Sequence, residues 1–97
     1  MPPADTERGL HLEIFGRVQG VWYRGWMKQE AEALGLSGWV RNRADGSVEA
    51  IVSGAPEAVG SMLEKCWRGP PMARVIDIQS APCEAPDGSG FITLRTN

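Results

Sequence analysis

The sequence predicts that residues 1–97 form a single α+β domain, in which two helices cover one face of a four- to five-stranded antiparallel sheet. A chain of 97 residues suffices for one hydrophobic core but not for two. Two segments repeat apolar residues at helical spacing, and the other segments have the short apolar alternation and the turn signals of strands. Because each amphipathic helix must bury its apolar face, a sheet that is covered on one side accommodates both.

The first strand and the first helix are separated by a glycine-containing connection. Residues Leu10 to Ile14 alternate apolar and polar side chains, which predicts a half-buried strand that stops at Gly16. The segment from Arg24 to Leu34 predicts an amphipathic helix of three turns, and Gly35 provides its C-terminal stop. The apolar side chains of this helix fall on one face: Trp26, Met27, Ala31 and Leu34.

A hairpin and a second helix follow. Two strands are predicted over Ser37 to Arg43 and Ser47 to Val52, and the intervening Ala44-Asp45-Gly46 contains the Asp-Gly pair of an antiparallel hairpin. Pro56 is suited to open a second helix, which the Gly-Pro-Pro run starting at Gly69 ends. Its apolar residues recur at helical spacing: Val59, Met62, Leu63, Cys66 and Trp67.

The last third of the chain predicts a strand over Arg74 to Gln79, a loop over Ser80 to Gly90 and a short final strand over Phe91 to Arg95. The resulting order, βαββαβ with one additional short strand, is that of a ferredoxin-like sandwich. This fold also supports metal chaperones, regulatory modules that bind amino acids and RNA-binding domains, so the function must be argued from a site.

The charge composition limits the possible partners. Twelve acidic and ten basic side chains give a formal net charge of −2, which is too weak a field to recruit nucleic acid or an anionic membrane. Any bound anion must therefore be held by local contacts. Eight of the ten basic residues are arginines, and arginine is suited to bidentate binding of phosphate or carboxylate.

Cysteine and histidine are scarce. Cys66 and Cys83 lie 17 positions apart with no C-x-x-C motif, so we expect two free thiols, no metal site and no cofactor. The single histidine, His11, shares the polar face of the first strand with Glu13, and we expect it to be solvated rather than a catalytic base. Residues 1–8 are expected to form a flexible leader without the pattern of a signal peptide, which makes a cytoplasmic location the default.

The connection between the first strand and the first helix has the composition of an anion-binding loop, with the sequence Gly16-Arg17-Val18-Gln19-Gly20-Val21-Trp22-Tyr23-Arg24. Glycines allow successive N–H groups to converge, and the loop leads into a helix N-terminus that favours phosphate. Arg24 could add a bidentate contact to the same anion. The G-K-[ST] ending of a Walker A loop is missing, and the glycine spacing excludes a dinucleotide-binding fingerprint. A simple tight turn with two solvated arginines fits the spacing equally well.

The segment around Asn42 is the second candidate. On a strand, Trp39, Arg41 and Arg43 share one face, whereas Asn42 lies on the opposite face with the apolar Val40. An amide on the apolar side needs a partner. Either Asn42 bonds to the turn that follows it, or its carbonyl accepts a hydrogen bond from a water while its NH2 group steadies a substrate oxygen.

Together these segments resemble a known family. The loop from Gly16 to Arg24 resembles the first acylphosphatase signature, and the segment from Gly38 to Asn42, with Gly46, Val48 and Gly54, resembles the second. Both occur in order and at the family's spacing. The resemblance extends over nearly the whole chain, apart from the leader and the loop around Ser80 to Gly90.

The resemblance implies a metal-independent hydrolase that cleaves acyl phosphates to a carboxylate and inorganic phosphate. Arg24 would bind the phosphoryl oxygens, and Asn42 would orient the attacking water. Backbone N–H groups of the loop would complete the phosphate site: Arg17, Val18, Gln19, Gly20, Val21 and Trp22. No general base is implied, because the phosphate oxygens of the substrate could accept the proton of the water.

Two other functions are compatible with the same residues. A non-catalytic module of this fold could hold an anion or a partner in the same loop. A nucleic-acid interface is suggested by Arg41 and Arg43 beside Trp39, but the negative net charge and the lack of an aromatic pair on neighbouring strands oppose it. We therefore expect a monomer that binds a small molecule, neither nucleic acid nor membrane. We expect the tryptophans to pack in the core or on the sheet: Trp22, Trp26, Trp39 and Trp67.

Overall fold

The structure is a computed structural model that describes residues 8–97. Its elements, in chain order, are β1 (Arg8–Arg17), α1 (Tyr23–Ala33), β2 (Ser37–Asn42), β3 (Val48–Ser53), α2 (Pro56–Arg68), β4 (Arg74–Glu84) and β5 (Phe91–Thr93). Except for Arg8, with which β1 begins, the predicted leader lies outside the described residues. In this part of the chain, neither helix is long and apolar enough to cross a membrane.

The strands form one sheet in the order β4-β1-β3-β2-β5, with both helices packed on it. The ferredoxin-like fold class is confirmed, but the sheet is mixed rather than purely antiparallel. β1 pairs antiparallel with β3 and β4, and β2 pairs antiparallel with β3, whereas β5 pairs parallel with β2. The segment after β4 brings the chain to the start of β2, where the Gly38 N–H donates to the Gly90 carbonyl at 3.0 Å. Since β5 enters beside the start of β2, the two strands run in the same direction.

β4 is longer than the sequence predicts. The expected loop begins at Ser80, but the strand continues to Glu84, because these residues pair with the first half of β1. Pro82 pairs with Leu10 and is compatible with a strand here, since β4 is an edge strand whose outer side needs no backbone donor. β5 is shorter than predicted and ends at Thr93 rather than Arg95.

The core lies between the helices and one face of the sheet. Both helices end as the sequence predicts, α1 before Gly35 and α2 before Gly69, and both glycines have a left-handed backbone (φ 72° and 67°). Fully buried side chains come from every layer: Leu12, Ile14, Val40, Val48, Ala50 and Val52 from the sheet, Met27 and Ala31 from α1, and Met62 and Cys66 from α2.

One polar contact crosses the core between the helices. The hydroxyl of the buried Tyr23 donates to the main-chain carbonyl of Cys66 at 2.5 Å. Burial raises the pKa of the Cys66 thiol to about 12, so this thiol stays protonated. Cys66 and Cys83 are both free, as the sequence predicts.

The tryptophans only partly follow the expectation. Trp26 is half-buried against the core, and Trp39 lies on the open face of the sheet, where the Arg41 guanidinium sits 5.0 Å from its ring centroid. The expectation of packing in the core or on the sheet is wrong for Trp22 and Trp67, which are 58% and 48% exposed.

The open face of the sheet carries a network of charged side chains. The Glu49 carboxylate accepts a hydrogen bond from Arg41 Nε at 2.8 Å and lies 2.7 Å from Nε2 of His11. Arg43 pairs with Glu13 at 3.0 Å. Burial acts to raise the pKa of the Glu49 carboxyl, but its contacts with His11 and Arg41 hold that pKa below its usual value. His11 is therefore a half-buried partner of Glu49 rather than a freely solvated side chain.

Candidate active site

A cavity of about 310 Å³ opens where the loop from β1 to α1 meets the end of β2. It brings together Arg24 and Asn42, the two residues that the sequence singles out for catalysis. The cavity is lined by Val18, Gly20, Trp22, Tyr23, Arg24, Gly25, Asn42 and Thr93. These eight residues include no carboxylate, thiol or imidazole, so Arg24 contributes the formal charge at its wall.

The loop that precedes α1 presents backbone donors. Gly20 and Trp22 have left-handed backbones (φ 75° and 68°), and Val21 between them does not. Such alternation turns successive N–H groups toward one side and forms a concave anion-binding surface. Among the hydrogen bonds found within residues 8–97, none is donated by the backbone N–H groups of residues 18–22.

The start of α1 adds to the positive electrostatic potential at the cavity. Trp22 is its N-cap residue, no side chain caps the helix, and its first turn contains no acidic residue. The orphan N–H groups of a helix start carry a partial positive charge that favours anions. Tyr23, Arg24 and Gly25, the first three residues of α1, line the cavity. The cavity therefore combines a helix N-terminus, a guanidinium and free loop amides.

Asn42 presents an acceptor. It is the last residue of β2, and its Oδ1 is buried without a hydrogen-bond partner in the described part of the chain. An unpartnered buried carbonyl typically costs about 1–3 kcal/mol, so its retention points to a use. Asn42 does not cap the following turn, because Asp45 Oδ1 has that role and accepts from the N–H of Ser47 at 2.9 Å. The first of the two alternatives left by the sequence, a bond to the following turn, is therefore not seen, and Asn42 lines the cavity instead.

Gln19 contacts the hairpin rather than the cavity. Its Nε2 donates to the main-chain carbonyls of Arg43 and Ser47, both at 2.8 Å. These two carbonyls flank the turn between β2 and β3, directly after Asn42. The side chain thus ties the loop to the hairpin that carries Asn42, a role that the sequence does not indicate because it depends on where the hairpin lies.

The other predicted loop residues divide into two groups. Val18, Gly20 and Trp22 line the cavity, whereas Arg17 at the end of β1 is exposed and does not line it, and neither does Val21. Sequence reasoning missed three lining residues: Tyr23, Gly25 and Thr93. Thr93 comes from β5, and only the parallel pairing that sets Thr93 opposite Val40 brings it there.

Trp22 has an unusual backbone. Its φ of 68° and ψ of 25° are left-handed, and no other non-glycine residue in the range 8–97 has a positive φ. This conformation costs an L-residue about 1–2 kcal/mol. The indole lies against Gly25, where an added Cβ would come within 2.7 Å of Cδ1 and Cε2 of the ring. The helix therefore has a glycine where the indole packs on it.

The fold and the cavity are those of a small domain suited to binding an anion. The model of the acylphosphatase family matches residues 10–93. An acylphosphatase from Rhodospirillum rubrum is 57% identical over 82 residues, which cover 84% of this chain and 90% of that protein. One from Azorhizobium caulinodans is 58% identical over 88 residues, with coverages of 90% and 95%. The structure of an acylphosphatase from Coxiella burnetii superposes with a TM-score of 0.88 at 34% identity, over 92% of this chain and 94% of that one.

The chain therefore belongs to the acylphosphatase family, as its two signature segments predict. It is an enzyme that hydrolyses the carboxyl-phosphate bond of acyl phosphates to a carboxylate and inorganic phosphate.

Proposed function

We propose that the loop before α1 and the Arg24 guanidinium hold the phosphoryl group, and that Asn42 orients the water that attacks it. The phosphate-binding part rests on the donors that meet at the cavity. The N–H groups of residues 18–22, among them those of Gly20 and Trp22, would surround the phosphoryl oxygens, and the start of α1 and Arg24 would supply positive charge. Since these donors are already in place before the reaction, they would stabilise the charge of the transferring group without reorganisation.

The attacking water would be held by Asn42. Its buried Oδ1 has no protein partner within residues 8–97, so it is free to accept an O–H of a water. The water oxygen bonds to phosphorus while the bond from phosphorus to the carboxylate oxygen breaks. Its proton passes to a phosphate oxygen, and a carboxylate leaves. Asn42 positions the water and removes no proton.

No side-chain base is needed in this mechanism. His11 lies on the open face of the sheet, where it contacts Glu49, and it does not line the cavity. The carboxylate is a good leaving group, which lowers the demand on the attacking water. In this mechanism the protein therefore has chiefly to stabilise the charge of the phosphoryl group and to orient the water.

We also propose that the reaction is metal-independent. The lining side chains include no carboxylate, thiol or imidazole, and the Arg24 guanidinium with the start of α1 would provide the positive charge that a metal would otherwise supply.

The enzyme is further proposed to be a cytoplasmic monomer that binds no nucleic acid. Two free thiols suit a reducing compartment. The arginines beside Trp39, which could have contacted RNA, are engaged with carboxylates, Arg41 with Glu49 and Arg43 with Glu13. Light scattering of the purified protein would report its mass, and a dimer mass would contradict the monomer.

One observation carries the proposed mechanism: Arg24, the uncapped start of α1 and Asn42 meet at one cavity. The test is phosphate release from benzoyl phosphate, together with competitive inhibition by inorganic phosphate. Arg24→Ala should lose both hydrolysis and inhibition, whereas Arg68→Ala, which removes an exposed arginine at the end of α2, should keep both. An Arg24→Ala enzyme that phosphate still inhibits normally would contradict the role of Arg24. Phosphate binding without turnover in the unaltered protein would indicate the non-catalytic anion-binding module instead.

A further inference from the structure

We propose that Trp22 is the platform on which the acyl group of the substrate rests, and that it favours planar aromatic acyl groups over short aliphatic ones. This inference rests on the proposed mechanism, because it takes the phosphoryl group to lie at the loop amides and Arg24. It adds a substrate class that phosphate binding alone does not select.

The lining of the cavity leaves few surfaces for the acyl group. In an in-line displacement, the water and the leaving carboxylate lie on opposite sides of the phosphorus, so the acyl group lies away from the water that Asn42 holds. Val18 and Tyr23 are each only 1% exposed and serve as buried walls. Trp22, by contrast, is 58% exposed, and it is the large apolar side chain that the cavity wall presents to solvent.

The indole is held in place although it is exposed. The left-handed backbone of Trp22 directs the side chain, and the ring packs on the first turn of α1 at Gly25, where even a methyl group would collide with it. A large apolar residue in a disfavoured backbone conformation, with more than half of its surface in solvent, does not serve the core. The arrangement instead presents a fixed aromatic surface beside the phosphate loop.

Such a surface distinguishes between acyl groups. An aromatic ring can stack on the indole or meet its face edge-on, which is favourable beyond the area it buries, whereas the methyl group of an acetyl substrate makes only a small contact. Aromatic pairs of this kind change an affinity by about threefold to tenfold. The indole should act on the second-order rate constant, since free benzoyl phosphate and free acetyl phosphate start without this contact.

The test compares kcat/KM for benzoyl phosphate and acetyl phosphate in matched variants. Trp22→Leu keeps an apolar side chain without the ring, and the ratio of benzoyl to acetyl kcat/KM should fall about threefold to tenfold. Trp22→Phe should keep most of the ratio. Trp22→Gly, which adopts a positive φ without strain, removes the ring while the loop conformation is favoured. Trp67→Leu changes an exposed tryptophan on α2 and should leave the ratio unchanged.

One outcome would overturn the platform and leave the mechanism standing: the ratio stays unchanged in both Trp22→Leu and Trp22→Gly, whether kcat/KM is unaltered or falls equally for the two substrates. Inhibition by inorganic phosphate separates the two proposals. If phosphate failed to inhibit even the unaltered enzyme while it hydrolysed both substrates, the assignment of the phosphate site would be at fault instead.

Discussion

The side-chain nitrogen of Gln19 donates a hydrogen bond of 2.8 Å to the main-chain carbonyl of Arg43. The same nitrogen donates to Ser47 on the other side of the hairpin turn. The loop before α1 and the strand that ends in Asn42 are thereby joined by one amide group. In the proposed mechanism, the separation between the phosphoryl group and Asn42 depends on this connection.

Replacing Gln19 should weaken both stability and catalysis. Gln19→Met removes two hydrogen bonds, while each carbonyl keeps one backbone donor, the N–H of Gly46 for Arg43 and the N–H of Arg43 for Ser47. Because a hydrogen bond contributes about 0.5–1.5 kcal/mol net, we expect the free energy of unfolding to fall by about 1–3 kcal/mol. Because small errors in alignment are costly for an in-line reaction, kcat/KM should fall by up to about 100-fold. Urea unfolding and steady-state kinetics measure the two effects. Gln29→Met, at an exposed position of α1, is the control, and equal effects of the two substitutions would contradict the positioning role of Gln19.

Asn42→Ala should separate turnover from phosphate binding. We expect kcat to fall by roughly 10²–10³-fold, the loss typical of one positioned polar group in an active site. Inhibition by inorganic phosphate should persist, since Arg24 and the loop amides remain. Steady-state kinetics with phosphate as inhibitor provide both quantities. An Asn42→Ala enzyme that loses phosphate affinity to the same extent as Arg24→Ala would show that the two residues do not have separate roles.

Removal of metal ions should leave the enzyme active. The proposed mechanism draws its positive charge from Arg24 and the start of α1, so hydrolysis of benzoyl phosphate should proceed at the same rate after incubation with EDTA and in metal-free buffer. Phosphate release measured before and after the treatment provides the comparison. Loss of activity that added Mg²⁺ restores would refute metal independence.

The charged network around Glu49 should make stability depend on pH. Its carboxyl has a pKa below the usual 4.5, so its contribution is present above that value and is lost as the pH falls through the lower pKa of the folded state. Glu49→Gln should therefore be less stable than the unaltered enzyme at neutral pH, and the difference should shrink toward pH 3. Urea unfolding between pH 7 and pH 3 tests this, with the exposed Glu64→Gln as control. A difference that stays constant over this range would exclude Glu49 as a source of the pH dependence.

Replacement by alanine should lower the free energy of unfolding at one glycine and raise it at another. Gly38 in β2 has a φ of 139°, and an added Cβ would lie 2.8 Å from the carbonyl carbon of Ile51, so Gly38→Ala should cost about 1–3 kcal/mol of unfolding free energy. Gly60 lies within α2 with open space around it, and Gly60→Ala should gain up to about 1 kcal/mol. Urea unfolding measures both changes in free energy. A loss of stability in Gly60→Ala would contradict the finding that the surroundings of Gly60 leave room for a methyl group.

The fold was largely predictable because its helices and inner strands bury regular apolar patterns. Pro56 and Gly69 identify the two ends of α2, and its apolar spacing identifies the buried face at Met62 and Cys66. The end of β4 carries no such pattern, because this edge strand is held by backbone pairing with β1 and its side chains are mostly exposed. The parallel direction of β5 depends on the route of a loop, which leaves no local signal in the sequence.

The site residues that belong to a sequence motif could be predicted. Those that reach the site only because particular strands lie side by side could not. Arg24 and Asn42 follow from the two signature segments, and the structure brings them to one cavity. The direction of the Gln19 side chain and the contribution of Thr93 depend on which strands lie side by side. Trp22 has a left-handed backbone and an exposed side chain. A glycine in the sequence would suggest such a backbone, but a tryptophan does not.

Tyr23 links the cavity to the interior. It lines the cavity, while its hydroxyl donates to the main-chain carbonyl of Cys66 on the other helix. The core and the cavity therefore share a residue, and a change that repacks α2 would be transmitted to the loop before α1. Trp22, by contrast, is exposed and lies outside the core, so under the proposed acyl platform a substitution there would change which acyl groups are favoured without repacking the interior.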